Sequence, residues 1–224
     1  MSARPSPSAR PVSPVSPVSP VRASRPRGPL RIFKDILSIG AAASIALVAR
    51  TSLADHYVVP SGSMEPTVEV GDRILVDKLA FGVRLPIADR YLVSLAEPRP
   101  GDVVVLGSPE NGITLLKRVV AGPGDVVTVR GGHLDLNGTS VRVTSGATSD
   151  LEYLGATPHS LRIGDGGGPD YGPVRVPADH FLVMGDNRGN SHDGRSFGFV
   201  TRDAIRGRAV RVFLRNGAPT WRPL

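Results

Sequence analysis

Two features of this 224-residue chain could do covalent chemistry. One is a hydroxyl-bearing loop, Pro60-Ser61-Gly62-Ser63-Met64-Glu65-Pro66-Thr67. Proline fixes φ and glycine permits backbone angles that other residues resist, so this segment is a stiff turn that can hold a serine hydroxyl in one direction. The other is Lys117, set in the apolar run Leu115-Leu116-Lys117-Arg118-Val119-Val120. Desolvation disfavours the ammonium and lowers a lysine pKa. A neutral amine can take the proton from a serine hydroxyl and make it a nucleophile for acyl transfer. Each feature also has an ordinary reading: a Ser-Gly-Ser turn that only reverses the chain, and a strand lysine whose amine reaches water.

Other chemistries have less support. A Ser-His-Asp triad needs a well-placed imidazole. Of His56, His133, His159, His180 and His192, only His192 sits among polar site candidates. The G-x-S-x-G elbow, the H-E-x-x-H zinc motif and an S-x-x-K run from Ser63 are absent. The chain has no cysteine, hence no disulfide and no thiolate metal site. Asp186 and Asp193 stand beside Arg188 and Arg195 in the dense polar segment 185–198 and read as ion-paired carboxylates, so no metal and no cofactor are expected.

These side chains need a scaffold, and the pattern predicts a mainly β one. Short Val-rich runs recur between Gly-Asp turns, as at 74–76, 103–106 and 113–120, closed by a strand over 208–214. Asn137-Gly138 between alternating runs predicts a hairpin within 126–145. The Gly/Ser/Pro-rich stretch 146–173 reads as a surface excursion, and it lacks the strand-then-helix context of a nucleotide-binding loop. The expected organisation is a β catalytic core over 55–125 and 174–214, an inserted hairpin and loop subdomain over 126–173, and a C-terminal tail over 215–224.

The net charge of +7 lies wholly in the N-terminal arm. Residues 1–34 hold seven basic groups and no acid, whereas the other 20 Lys and Arg are matched by all 20 Asp and Glu. A neutral body with a basic arm fits a membrane-proximal tail, and no nucleic-acid partner is expected. Residues 1–30, built of Ser-Pro and Val-Ser-Pro repeats, predict disorder. An apolar stretch over 36–49 follows, too short by itself for a ~30 Å bilayer core, and extending it to 31–54 admits Lys34, Asp35 and Arg50. Three readings stay open: a single helical anchor, a cleaved signal peptide ending near Ser52-Leu53-Ala54, and an amphipathic helix. An anchor would leave the N-terminus in the cytoplasm and the body outside.

Four blocks, in order, resemble type I signal peptidases, membrane-bound Ser-Lys proteases of bacterial secretion. They are Val59 to Thr67, Gly71 to Gly82, Leu116 to Asp125, and Met184 to Arg188 continuing through Asn190-Ser191-His192-Asp193 to Arg195. The resemblance covers most of residues 55–213 and implies a signal-peptidase-like β-sheet or barrel core. It implies Ser63 as nucleophile and Lys117 as general base, with the Ser63 N–H and the Ser61 hydroxyl forming the oxyanion hole. Ser191 would orient the Lys117 amine, and Asp186, Arg188, Asp193 and Arg195 would lock the loop that carries it. Val59, Met64, Val68, Leu115 and Leu116 would line shallow pockets for small residues at positions −1 and −3 of a signal peptide, with ordinary core as the alternative for each. Preprotein signal peptides and the lipid bilayer are the implied partners. Gly194, Phe197 and the alanine-rich anchor depart from the family pattern. Two related functions stay open as alternatives: a peptidase specialised for one pilin or conjugation substrate, and a LexA-type self-cleaving protein.

Overall fold

The Val-rich runs between Gly-Asp turns fold into strands. The computed structural model describes residues 34–40, 54–84, 90–146, 148–155 and 157–224. In chain order the first strands are β1 (Ala54–Val58), β2 (Arg73–Asp77), β3 (Gly82–Arg84), β4 (Tyr91–Ser94), β5 (Val103–Gly107) and β6 (Thr114–Ala121). Next come β7 (Val126–Arg130), β8 (His133–Leu136), β9 (Thr139–Ser140), β10 (Val143–Thr144), β11 (Asp150–Glu152), β12 (His159–Leu161) and β13 (Tyr171–Arg175). The chain closes with β14 (His180–Met184), β15 (Val200–Thr201), β16 (Ile205–Arg215) and β17 (Ala218–Pro223). A helix α1 spans residues 34–40 in a unit separate from the β body. A single turn α2 (Gly194–Phe197) follows β14.

The main sheet has eight strands in the order β1-β2-β16-β5-β6-β14-β15, with β17 added to β16. Alternation along β5 explains how it holds two cores apart. Val103 and Val105 join Val59, Met64, Val68, Ile74, Val76, Ala209 and Val212 on one face. Val104 and Leu106 join Phe81, Val119, Phe181, Val183, Val200 and Ile205 on the other. A third cluster, from Val120 and Ala121 through Val127, Val129, Leu134, Leu154 and Val176 to Leu182 and Met184, joins the main sheet to the smaller ones. Those are the β13-β7-β8-β9 and β10-β11-β12 sheets, with β3-β4 a two-stranded ribbon.

Two expectations change. The stretch 146–173 is not a surface excursion: Glu152, Leu154, His159 and Leu161 are buried. Its glycines serve close packing, since a Cβ on Gly167 (φ +79°) would lie 2.2 Å from the carbonyl of Gly131. Residues 215–224 form not a free tail but mostly the strand β17, paired with β16. The disordered arm expected over 1–30 lies outside the described residues, as does most of the stretch 31–54 expected to be the anchor. Among the described residues no helix is long and apolar enough to cross a membrane.

Candidate active site

Ser63 sits in a 3-10 turn, Gly62–Met64, between β1 and β2. The loop closes on itself: Val68 N donates to Met64 O at 3.0 Å, and Gly71 N to Val59 O at 2.8 Å. Asp72 caps its far end, bonded by the Glu69 N–H and by the Arg215 guanidinium at 2.6 Å. Met64 and Val68, both fully buried, root the loop in the first core. Ser63 is thus held by neighbours on either side and is only 9% exposed.

Lys117 reaches the loop from the middle of β6. Leu115, Lys117 and Val119 share one face of that strand, and Leu116 and Arg118 the other. The Lys117 amine donates to Ser63 Oγ at 2.7 Å. It is 3% exposed. Burial pushes its pKa down to about 8; Asp193 and then Asp186 pull it back up, and Arg195 assists the lowering. The ordinary reading of Lys117, an amine in water, is excluded by this placement. Ser61 is exposed at the start of the turn, with its Oγ 3.5 Å from Ser63 Oγ.

The polar segment after β14 clamps both. Asn187 N donates to Ser63 O at 3.1 Å, and Asn187 Nδ2 to Gly62 O at 3.1 Å. Asp186 accepts from Thr67 Oγ1 at 2.6 Å and takes a bidentate pair of bonds from Arg118, at 2.8 and 2.7 Å. Burial pushes the Asp186 carboxyl up, but Arg118, with His159 and Thr67, more than reverses this and holds it below the ordinary range. Asp193 is held low against its burial by Arg195, by the Gly185 N–H at 3.0 Å and by its other neighbours. Asp193 also caps α2 through the Arg195 N–H.

A family model described as signal peptidase, peptidase S26, matches residues 32–214. A signal peptidase I from Pseudomonas fluorescens is 38% identical over 194 residues, which cover 76% of this chain and 68% of that protein. One from Leptolyngbya laminosa is 35% identical over 193 residues, covering 85% of this chain and 84% of its own. The chain belongs to the signal peptidase family. A crystal structure of a signal peptidase I from Enterococcus faecalis aligns over 51% of this chain and 98% of its own, at 27% identity and a TM-score of 0.35.

Within this chain, several partners differ from those the sequence suggests. Asp186 pairs with Arg118 rather than with Arg188, whose guanidinium bonds Glu152 and the Gly132 carbonyl instead. Only the Asp193–Arg195 pair joins sequence neighbours, at 2.9 Å. Ser191 Oγ is buried and within electrostatic reach of Asp193, yet makes no hydrogen bond of good geometry, to Lys117 or to any other described group. Val59, Met64 and Val68 lie in the core, 3%, 1% and 0% exposed. Leu115 and Leu116 keep partial exposure but project to opposite faces of β6, Leu115 against the core that holds Phe181 and Leu116 against the core that holds Val59. His192 stays at the surface, 2.9 Å from Glu110.

Sequence reading missed Asn187, Thr67, Arg118, Glu152 and His159. The first three lie inside the family-like blocks, beside residues that were singled out. Glu152 and His159 carry no local signal, because they lie in the variable, glycine-rich insert.

Proposed function

We propose that this chain is a serine endopeptidase that removes N-terminal signal peptides from exported preproteins, with Ser63 as nucleophile and Lys117 as general base. The observation that carries the reading is one contact: a desolvated amine 2.7 Å from a buried serine hydroxyl. With its amine neutral, Lys117 accepts the Ser63 proton while Oγ attacks the scissile carbonyl carbon. The oxyanion meets the Ser63 N–H, which as an early N–H of a 3-10 turn has no acceptor within that turn, and the Ser61 hydroxyl, whose Oγ lies 3.5 Å from Ser63 Oγ. The ammonium then gives its proton to the leaving amine, and the C–N bond breaks. Water attacks the resulting ester with Lys117 again taking the proton, and Ser63 is released.

The substrate fits as an added strand. From Thr114 to Lys117, β6 is paired by β5 alone, since β14 reaches only Arg118. An extended peptide laid on this free edge puts residues −1 and −3 on one side, because side chains alternate along a strand. Both then face the serine-loop wall, which the buried Met64 backs from the core. Val59 and Val68 support that wall from the core, and Leu115 and Leu116 flank the edge. Ser191, Asp186, Arg188, Asp193 and Arg195 hold the segment that closes over Lys117.

The bilayer is the second partner. Bacterial members of this family are membrane-associated. The basic arm and the apolar stretch 36–49 support a single anchor in the inner membrane, with the N-terminus cytoplasmic and the β body outside. The deciding experiment incubates the detergent-solubilised full chain with a preprotein carrying an Ala-x-Ala site. Wild type releases the mature protein and Ser63→Ala does not. Undiminished cleavage by purified Ser63→Ala overturns the assignment.

A further inference from the structure

The insert beyond β10 delivers an imidazole to the underside of the serine loop. His159 Nε2 lies 3.1 Å from Glu152 Oε2 and 3.8 Å from Asp186 Oδ1. Glu152 comes from β11, beside His159 on β12, and Asp186 from the segment after β14. Arg188 stands behind Glu152, and Arg118 behind Asp186. These five ionisable side chains are all at most 7% exposed. The backbone tightens the same junction. Arg162 N donates to Asp186 O at 2.9 Å, Arg188 N to Arg162 O at 2.7 Å, and Thr67 Oγ1 also approaches Ser160 O at 3.2 Å.

Such a cluster is a poor device for stability alone. Buried ion pairs seldom outperform apolar packing of the same volume. Glu152 Oε1, both ring nitrogens of His159 and Arg188 Nε are moreover buried with no hydrogen-bond partner among the described groups, so Nε2 faces the two carboxylates at ion-pair distance alone. What the cluster does supply is a fixed Asp186 carboxylate. That carboxylate holds Arg118, the chain neighbour of Lys117, and Thr67 in the loop of Ser63. One anion therefore ties the two reacting groups together, and His159 approaches its Oδ1, the oxygen that Arg118 Nε also bonds.

We propose that His159 is a positioning residue for the Ser63–Lys117 pair, acting through Asp186 with Glu152 as its brace. This rests on the reading of those two residues as the reacting pair. Asp186 also raises the Lys117 pKa, so a change in its surroundings is read directly in the pH profile. The test compares His159→Gln with His159→Asn. Both are polar, but only glutamine carries an amide nitrogen out to where Nε2 stands. Leu161→Val, two residues along β12 and equally internal, controls for loosening of the strand.

In detergent with an Ala-x-Ala preprotein, His159→Asn lowers kcat by about tenfold to a hundredfold with KM nearly unchanged, as a misplacement of reacting groups does. Its acid limb in kcat/KM moves to higher pH, because Asp186 loses the electrostatic support of the imidazole and bears more strongly on Lys117. His159→Gln recovers kcat to within about threefold, and Leu161→Val keeps both kcat and the limb. Wild-type kcat in His159→Asn overturns the proposal. So does an equal loss in the Asn, Gln and Val variants, which marks a structural role only. Ser63→Ala in parallel keeps the two readings apart: if it is inactive while His159→Asn is fully active, only the role of His159 fails.

Discussion

At pH 7 most Lys117 amines are still protonated, because burial lowers the pKa only to about 8. About a tenth of molecules then carry the free base. The general-base reading therefore predicts that kcat/KM climbs with pH through about 8 and levels off above it, measured with a preprotein whose own groups do not titrate there. Lys117→Arg lacks this limb and is inactive, since a guanidinium does not deprotonate. The same burial costs stability. Bringing the pKa from 10.5 to about 8 corresponds to ~3 kcal/mol against the folded ammonium, and the lost contact to Ser63 Oγ returns part of it. Lys117→Met is thus expected to be inactive and to melt a few degrees higher at pH 7. Between about pH 8 and 10.5 the unfolded wild-type chain binds the extra proton, so wild-type stability rises with pH across that window. The Tm advantage of Lys117→Met should shrink there; a constant advantage shows that the amine is not desolvated.

At the scale of elements, the exit from β14 matters most. Gly185 lies so close to the serine loop that an added Cβ would stand 2.4 Å from Ser63 O and 2.3 Å from Ser191 Oγ. No rotamer relieves a clash with a backbone oxygen, so the loop itself must move. Gly185→Ala is expected to lower kcat by about a hundredfold or more while the remote cores persist. Comparing kcat with Tm checks this: full activity would show that the Ser63–Lys117 spacing tolerates the shift. The edge of β6 was partly legible beforehand, because the apolar run around Lys117 predicts a strand. Its exposure as an edge was not, since that depends on where β14 stops pairing.

At the scale of the whole molecule, the proposed bilayer partner makes its own prediction, because the β body exposes apolar groups that suit a membrane face. Leu92 and Val93 on β4 and Leu95 just beyond it are 59%, 51% and 62% exposed. The expected consequence is that replacing Leu92 and Leu95 with Asn lowers the fraction of protein bound to anionic vesicles without changing cleavage of a short soluble peptide. An unchanged bound fraction removes this ribbon from the membrane face. Across the same body, the small sheets rest on the third core and bring Glu152 and His159 against the segment after β14, where Glu152 meets Arg188.

Local physics made much of this protein legible in advance. Turn chemistry at the Gly-Asp and Asn-Gly steps, the period of two along the strands and the basic arm all depend on near neighbours in the chain. Local physics left Ser63 and Lys117 each with an ordinary reading, and the resemblance of the four blocks is what singles them out as a pair. Which side chains meet is a different matter. Ser63 and Lys117 are 54 positions apart, and Asp186 takes its arginine from 68 positions away rather than from the one two residues on. The chain offers many arginines, and spacing does not choose among them. Packing of β6 against β14 and the serine loop does, because a buried carboxylate stays charged only where a cation is held within bonding distance.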